Sequence, residues 1–402
     1  MSSFSSFALL ATLSLSSLVA GVPSNTPANC EIAPPTSTFV TPKNGDCKDY
    51  TITDKVTSEN LIWAQPKFKD NYDVAAWLFN ETRKDSRQVF HPFADPENVT
   101  AEYTLAGTFC KPKKMNGNET TVLLATHGLG YDRRYWSSSY KPDEYNFVQY
   151  ALDQGYSVFY YDRLGTGKSD KPSGFVNQAS IQAEQLTALA KSIRAGKYTS
   201  DIKAEKIVLV GHSYGSYLST AVIVNEPDLA EGIVLTGLAF PTKNDTASGF
   251  VQPFVNTIFA NRIGSTLSPA FSDRDTGYIG FGDIFAHVHA FFHQPNYETQ
   301  AAEYAQSISQ PGTVLEFATL ATLSQSAQAY KGDVLVTTGE FDILICSGEC
   351  YSTYAPKAAK KEVFTGANRV ETYILPGAGH GVNFAKNAMV AYKVIGTFLG
   401  KI

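Results

Sequence analysis

From Thr121 onward the chain alternates between short apolar segments and longer segments of helical character. The apolar segments predict strands at residues 121–126, 156–161, 207–210, 232–238, 334–338 and 371–375. The other segments predict helices at residues 145–154, 180–194, 216–225 and 385–399. Strands that are apolar along their whole length suit parallel strands covered on both faces. The alternation therefore predicts an α/β fold with a mostly parallel, twisted sheet flanked by helices.

The alternation stops between Leu238 and Val334, a distance far longer than the usual connection of roughly 2–6 residues in such folds. This segment is rich in aromatic residues: Phe250, Phe254, Phe259, Phe271, Tyr278, Phe281, Phe285, Phe291 and Phe292. Phe281, Phe285 and Phe292 follow helical spacing. We expect a helical cap inserted at about residues 240–331. Most of its aromatic side chains should form its own core, and a minority should face a substrate pocket.

The N-terminal hundred residues divide into two parts. Residues 1–20 are apolar and Ser-rich and end in small residues, which predicts a signal peptide. The apolar run is too short for a membrane span, so no stable membrane insertion is expected. Residues 21–99 should form an N-terminal extension, with a helix at 73–80, packed against a main domain at residues 100–402 that begins with a strand.

Several features agree with secretion. Four N-x-[ST] sequons predict glycosylation at Asn80, Asn98, Asn118 and Asn244. The five cysteines are Cys30, Cys47, Cys110, Cys346 and Cys350, and most should pair in an oxidising compartment. Cys346 and Cys350 are close enough to pair, but the sequence does not decide the connectivity of the others.

The net charge of −5, with mixed acids and bases, does not suggest a nucleic-acid partner.

Gly211–Gly215, with the sequence GHSYG, lies between a predicted strand and a predicted helix. A G-x-S-x-G in this context forms a sharp turn that exposes the Ser hydroxyl, here that of Ser213. Glycines are needed on both sides because a Cβ there would collide with the strand or the helix. The pattern is frequent by chance, so its context decides its meaning. That context predicts Ser213 as a nucleophile.

A nucleophilic Ser needs a base to take its proton and a third group to orient the base. His380 follows the last predicted strand in a Gly-rich loop and is the candidate base. Asp342 follows the preceding strand and is the candidate acid. Glu340 is the nearest rival for this role. Asp245 is a second rival, although its place in a sequon favours a solvent-facing position.

The oxyanion of a tetrahedral intermediate needs preorganised donors. The N–H of Tyr214, directly after the nucleophile, should be the first. The second should come from His127-Gly-Leu-Gly130 after an early strand, with the N–H of Leu129 as the candidate. His127 itself should hold this loop in place.

Two other patterns carry no chemistry of their own. Gly165-Thr-Gly-Lys-Ser169 is not a phosphate-binding loop, because the first Gly of that motif would fall on Asp162. His287, His289 and His293 have no carboxylate at a familiar metal-binding spacing, and no His pair stands near the cysteines. We therefore expect no metal site.

Five motifs occur in one order: HGLG at His127, YDRLGTGKSD at Tyr161, GHSYGS at Gly211, GEFD at Gly339 and PGAGHG at Pro376. As a set they cover residues 121–402 and resemble the α/β-hydrolase superfamily. The secretory start, the extension and the sequons make the chain similar to secreted fungal members.

This resemblance implies a cofactor-independent Ser-His-Asp hydrolase. Ser213 attacks a carbonyl, His380 transfers the proton, Asp342 supports His380, and water resolves an acyl-enzyme. Epoxide hydrolases and haloalkane dehalogenases of this fold have Asp at the elbow, so Ser213 argues against both.

The expected function is that of a secreted esterase or lactonase acting on a fairly apolar small molecule. An amidase or peptidase is an alternative on the same residues. A non-hydrolytic biosynthetic cyclase or a binding module is an alternative on the same fold. The sequence does not predict the substrate or the oligomeric state.

Overall fold

The computed structural model describes residues 39–238, 240, 261–353 and 362–402, and all of them belong to one compact unit, Pro35–Ile402. The predicted signal peptide, Cys30, Asn244, Asp245 and the first three cap aromatics lie outside the described residues. Within these ranges, no helix combines the length and the apolar character needed to cross a membrane.

In the part of the chain that the structure describes, eleven strands form two sheets. They are β1 Gly45–Trp63, β2 Phe93–Pro112, β3 Thr121–Thr126, β4 Ser157–Tyr161, β5 Lys206–His212, β6 Gly232–Thr236, β7 Asn261–Ile263, β8 Tyr278–Phe281, β9 Gly312–Thr313, β10 Asp333–Gly339 and β11 Arg369–Leu375. The central sheet has eight strands in the order β1-β2-β4-β3-β5-β6-β10-β11. Its strands are parallel from β4 to β11, and β1 and β2 are antiparallel to their neighbours.

Helices connect the strands and cover the sheet. They are α1 Asn71–Thr82, α2 Ser86–Val89, α3 Pro142–Tyr145, α4 Phe147–Asp153, α5 Ala179–Arg194, α6 Tyr214–Asn225, α7 Ile284–Phe291, α8 Thr299–Ser307, α9 Val314–Thr319, α10 Ile343–Cys346, α11 Cys350–Thr353 and α12 Ala388–Leu399. Short 3₁₀ turns lie at Arg133–Tyr135, Gly264–Thr266, Pro269–Phe271, Leu320–Thr322 and Val382–Phe384.

The two faces of the sheet form separate cores. Ile207 and Leu209 of β5 pack with α5 and α6, whereas Val208 and Val210 pack on the other face with α4 and α12. Successive side chains of a strand point to opposite faces, so a strand covered on both faces must be apolar throughout. This is why the strands and helices predicted from Thr121 onward agree with the structure to within a few residues at each end.

The first two strands form a long antiparallel pair that extends the sheet. β1 pairs with β2 from Gly45 opposite Pro112 to Trp63 opposite Phe93. The boundary predicted between the extension and the main domain, at residues 99 and 100, falls inside β2. Because β1 pairs with β2, both strands belong to the main domain. The sheet begins at Gly45. The sequence did not indicate β1 because exposed polar residues alternate along it and its partner follows after two intervening helices.

The segment between β1 and β2 packs against the cap rather than standing apart. Phe68, Trp77 and Leu78 share a hydrophobic cluster with Ile279 and Leu315 of the cap. The side chain of Asn71 also accepts a hydrogen bond of 2.8 Å from the N–H of Ile263. The N-terminal region therefore contributes strands to the sheet and supports the cap.

The cap lies between β6 and β10, where the sequence predicts it, but it is not wholly helical. Its described part, from residue 261, holds the antiparallel sheet β7-β8-β9 together with α7, α8 and α9. Phe281 lies in β8, and Phe285 on α7 is 78 % exposed. The prediction that these two residues share a helix is therefore wrong, because Phe281 ends a strand and Phe285 belongs to the helix that follows it.

Two disulfides lie within the described ranges. Cys47 and Cys110 are directly opposite each other in β1 and β2 and are bonded. Cys346, at the end of α10, and Cys350, at the start of α11, are bonded, as their spacing predicted. The first bond resolves part of the connectivity that the sequence left open.

The two disulfides should differ in their contribution to stability. The Cys47–Cys110 bond spans 63 residues of sequence and the Cys346–Cys350 bond spans 4. From the loop entropy of the unfolded chain, we expect losses in unfolding free energy of about 4 and about 2 kcal/mol, respectively. Urea titration of the Cys47→Ala/Cys110→Ala and Cys346→Ala/Cys350→Ala variants measures both. A larger loss from the second variant would contradict this ranking.

Candidate active site

Ser213 stands on a strained turn between β5 and α6. Its backbone has φ 52° and ψ −118°, a conformation that costs an L-residue roughly 1–3 kcal/mol. A Cβ on Gly215 would lie 2.1 Å from the carbonyl oxygen of Thr126, and a Cβ on Gly211 would lie 2.5 Å from the Cα of Ser216. Both glycines are therefore required by close backbone contacts, which is the reason the sequence pattern suggested.

Asp342 is fully buried in the turn after β10, and both of its carboxylate oxygens accept hydrogen bonds. One oxygen accepts from the N–H groups of Leu344 and Ile345, both at 3.0 Å, which caps the N-terminus of α10. The other accepts from the hydroxyl of Thr338 at 2.5 Å and from Nδ1 of His380 at 2.7 Å. The carboxylate is thus fixed in place and directed at His380.

Glu340, the nearest rival acid, is not in this position. Glu340 accepts a hydrogen bond of 2.7 Å from the N–H of Gly377 and so fastens the loop that leads to His380. Asp245 lies outside the described residues.

His380 is buried in the loop after β11. Because the Asp342 carboxylate accepts at Nδ1, that nitrogen carries the proton and Nε2 presents its lone pair. Nε2 is buried and has no hydrogen-bond partner among the described residues. The ring of Phe291 lies edge-on to the imidazole at 5.0 Å between centroids. A buried Nε2 without a partner is what a general base needs before substrate binds.

Ser213, Leu129 and Tyr214 line one pocket of about 60 Å³. Most of its other lining side chains are apolar, and they include Phe281, Phe291 and Phe317. Phe291 therefore borders both the pocket and His380. β5, β10 and β11 are parallel, so the residues that follow them meet at one edge of the sheet. The predicted nucleophile and both predicted oxyanion residues thus share a cavity, with the His380–Asp342 pair beside it.

The loop that carries Leu129 is held by His127. Nδ1 of His127 donates to the carbonyl oxygen of Gly128 at 2.8 Å, and Nε2 accepts from the N–H of Arg163 at 3.0 Å. Burial and the neighbouring Arg163 charge lower the pKa of His127 well below its usual value of 6.5, so it stays neutral. A Cβ on Gly128 would lie 2.9 Å from that of Ser213, so the loop lies against Ser213.

Three buried polar residues beside this loop were not assigned from the sequence. Arg163 follows β4, Gln182 lies on α5 and Glu316 lies on α9 of the cap, and they form one hydrogen-bonded group. Arg163 is part of the YDRLGTGKSD motif, but nothing in the motif indicates its partners. Glu316 had a weak signal, the T-x-x-E of a helix capping box with Thr313.

The three cap histidines have separate surroundings. His287 is held between the hydroxyl of Tyr131 at 2.6 Å and the side chain of Gln306 at 2.9 Å, and burial lowers its pKa to about 4. His293 stacks on Phe341, and His289 is exposed. Among the described residues no three His, Cys, Asp or Glu side chains are grouped as metal ligands.

Three of the four sequons can be located. Asn98 is exposed on β2, Asn80 is half-buried on α1, and Asn118 is half-buried in the loop before β3. The side-chain amide of Asn118 donates to the carbonyl oxygen of Gln154 at 3.0 Å. Glycosylation at these sites, and at Asn244, remains a prediction.

Two curated relatives match part of the chain. It is 26% identical over 113 residues to an abhydrolase domain-containing protein, abhd-5.2, of Caenorhabditis elegans, covering 28% of this chain and 22% of that protein. It is 24% identical over 155 residues to the 1-acylglycerol-3-phosphate O-acyltransferase ABHD5 of Rattus norvegicus, covering 38% and 39%. The matched regions thus span less than half of either relative.

Solved structures match over a longer range. An esterase from Thermogutta terrifontis superposes with a TM-score of 0.50 at 18% identity, over 75% of this chain and 94% of that one. An epoxide hydrolase from Vigna radiata superposes with a TM-score of 0.50 at 16% identity, over 74% and 96%. At such identities the likeness concerns the fold alone.

A model of the alpha/beta hydrolase family matches residues 122–391, which run from β3 into α12 and make up about two thirds of the chain. The matched range contains the elbow of Ser213, the cap, and the buried pair of Asp342 and His380. The chain belongs to the alpha/beta hydrolase family.

Proposed function

We propose that the protein is a secreted serine hydrolase that cleaves a carboxylic ester or a lactone through an acyl-enzyme. The buried pair of Asp342 and His380 carries this proposal, because its Nε2 has no partner among the described residues while Ser213 stands on a strained elbow at the same edge of the sheet. A paired imidazole and a Ser hydroxyl that lines a pocket beside it are the parts of an activated nucleophile.

In the proposed mechanism, Oγ of Ser213 attacks the substrate carbonyl while Nε2 of His380 takes the hydroxyl proton. Asp342 stabilises the imidazolium that results. The N–H groups of Leu129 and Tyr214 donate to the oxyanion. The tetrahedral intermediate collapses, His380 gives its proton to the leaving alkoxide, and the acyl group stays on Ser213. Water then attacks the acyl-enzyme by the same route and releases the acid.

The size and lining of the pocket support a small, apolar substrate group. A volume of about 60 Å³ offers room for about five water-sized groups at roughly 10–15 Å³ each. Apolar walls exclude water from a charged transition state and strengthen the oxyanion contacts. A short acyl chain suits this space better than a long one.

Secretion and glycosylation are part of the proposal. The apolar residues 7–19, the four sequons and the two disulfides support it, because disulfides persist in oxidising compartments. The N-terminal sequence and the intact mass of protein recovered from culture medium test both. An unprocessed N-terminus beginning at Met1 would contradict the signal peptide.

A substrate series tests the proposed activity. We expect the protein to turn over p-nitrophenyl acetate and butanoate faster than the octanoate and dodecanoate, and to open five- and six-membered lactones. An initial burst of p-nitrophenol should show that the acyl-enzyme forms before water resolves it. Turnover of p-nitroanilides without turnover of esters would indicate the amidase alternative. The absence of turnover for every ester, lactone and anilide would contradict the hydrolase proposal.

A further inference from the structure

We infer that Arg163, held by Glu316 of the cap, positions the oxyanion hole. The donors of the hole belong to the core of the protein, but their geometry depends on the cap. This inference rests on the proposed function and adds to it a charged positioning residue. It is carried by the contacts of one buried guanidinium group with the loop of Leu129, the ring of Tyr214 and the cap.

The first contact fixes a peptide group. Nη2 of Arg163 donates to the carbonyl oxygen of Gly128 at 3.1 Å, and His127 donates to the same oxygen at 2.8 Å. In a planar trans peptide, the carbonyl of Gly128 and the N–H of Leu129 point in opposite directions. Two donors that hold the carbonyl therefore fix the direction of the Leu129 N–H. This N–H is one of the two oxyanion donors.

The second contact concerns the other donor. The guanidinium carbon of Arg163 lies 4.7 Å from the ring centroid of Tyr214, whose N–H is the second oxyanion donor. A cation over an aromatic face is attracted by the ring, more strongly when both are desolvated. Tyr214 is buried, and the side chain of Arg163 is 1 % exposed. One charged group thus contacts Tyr214 and the carbonyl of Gly128, whose peptide group carries the Leu129 N–H.

The charge of Arg163 is balanced by the cap. Its Nη1 donates to Glu316, whose side chain is also 1 % exposed, and to Gln182 at 2.5 Å. Glu316 further accepts from the amide of Gln182 at 2.9 Å and from the N–H of Thr313 at 2.7 Å. A buried ion pair contributes little net stability but is costly to break, so it defines a position.

The same stretch of the cap touches the oxyanion loop directly. The N–H of Gln310 donates to the carbonyl oxygen of Gly130 at 2.9 Å. A Cβ on Gly312 would lie 3.0 Å from the side chain of Leu129. Residues 310–316 of the cap therefore contact Gly130 and Leu129 directly, and reach Gly128 through Arg163. Any shift of this stretch moves the peptide group that carries the Leu129 donor.

Two variants test the inference. Glu316→Gln keeps the shape and the capping contacts but removes the charge opposite Arg163. Arg163→Lys keeps a charge but loses the planar fork that joins Glu316 to Gly128. We expect kcat for p-nitrophenyl butanoate to fall by about 10- to 100-fold in both, less than the roughly 10²–10³-fold loss from deleting an oxyanion donor. KM should change by less than about twofold, because both variants keep the contacts that bind the substrate and the transition state equally well.

A second readout separates positioning from a merely structural role. An alkyl trifluoromethyl ketone adds to the nucleophile and places a true oxyanion in the hole, so its affinity should fall by the same factor as kcat. The control is Asp333→Asn, which removes the carboxylate from the pair with Arg369 at the opposite edge of the sheet. It should lower the melting temperature without changing kcat or the ketone affinity.

The outcomes are distinct. If the wild-type protein is active and neither kcat nor the ketone affinity falls in Glu316→Gln and Arg163→Lys, the inference is wrong and the proposed function stands. The inference is equally wrong if these variants lose only stability, as the control does. A wild-type protein that neither turns over esters nor binds the ketone contradicts the proposed function itself.

Discussion

Ser213→Ala should lower kcat for p-nitrophenyl butanoate by about 10⁵-fold, because the acyl-enzyme route requires its hydroxyl and only the oxyanion hole and substrate binding remain. The fold should persist, since the elbow glycines and the hydrogen bond of 2.8 Å from the N–H of residue 213 to the carbonyl oxygen of Thr236 are backbone features. Steady-state kinetics on carefully purified protein measures the loss.

Ser219→Ala is a matched control for this variant. Ser219 is buried in α6, close in sequence to Ser213, and its hydroxyl donates to the carbonyl oxygen of Gly215 at 2.8 Å. Its replacement should leave kcat within about twofold, because a hydroxyl bonded within its own helix contributes little to the site. Turnover by Ser213→Ala at a rate comparable to that of this control would remove Ser213 from the mechanism.

Asp342→Asn should lower kcat by about 10⁴-fold with little change in KM. The amide cannot stabilise the imidazolium as a carboxylate does, and its NH₂ group favours the wrong tautomer of His380. The N-terminus of α10 should stay capped, because the remaining carbonyl oxygen can accept from Leu344 and Ile345. The kinetic constants and a thermal melt of the same sample separate lost chemistry from lost stability.

Glu340→Gln is the matched comparison, because Glu340 was the rival acid in the sequence. Glu340 accepts a hydrogen bond from the N–H of Gly377, and the carboxylate that accepts from His380 among the described residues is that of Asp342. We expect its variant to keep kcat within a few-fold. A larger loss of kcat in Glu340→Gln than in Asp342→Asn would indicate that Glu340, and not Asp342, supports His380.

The central strands and helices were predictable because both faces of their sheet are covered. Ile207 to Val210 are buried without interruption, so the run is apolar at every position. β1 differs because exposed polar residues alternate along it and it lies at the edge of the sheet. Its partner β2 follows only after α1 and α2, and pairing across such a connection leaves no short-range signal.

The candidate site was predictable where chain order and strand ends constrain it. Ser213, Asp342 and His380 each follow a strand, and parallel strands bring their carboxyl ends to one edge. The pair of Arg163 and Glu316 has no such constraint. The two residues are 153 positions apart and meet only because the cap folds back over the loop after β4. Contacts of this kind depend on tertiary packing, which local patterns do not encode.

The fold by itself leaves the chemistry open. An esterase and an epoxide hydrolase superpose on this chain equally well, with a TM-score of 0.50 each. The chemistry must therefore be argued from the residues at the elbow and beside it. Here these are Ser213, the buried His380–Asp342 pair, and Leu129 and Tyr214, which line an apolar pocket with Ser213.

The most direct test of Ser213 as an activated nucleophile is labelling by a fluorophosphonate at neutral pH, followed by peptide mass mapping. An activated serine reacts with this probe, whereas an ordinary surface hydroxyl does not. We expect one adduct per chain, on the peptide that contains Ser213, and no adduct after the protein is unfolded in urea. The absence of an adduct on the folded protein, or an adduct on another residue, would contradict the proposed role of Ser213.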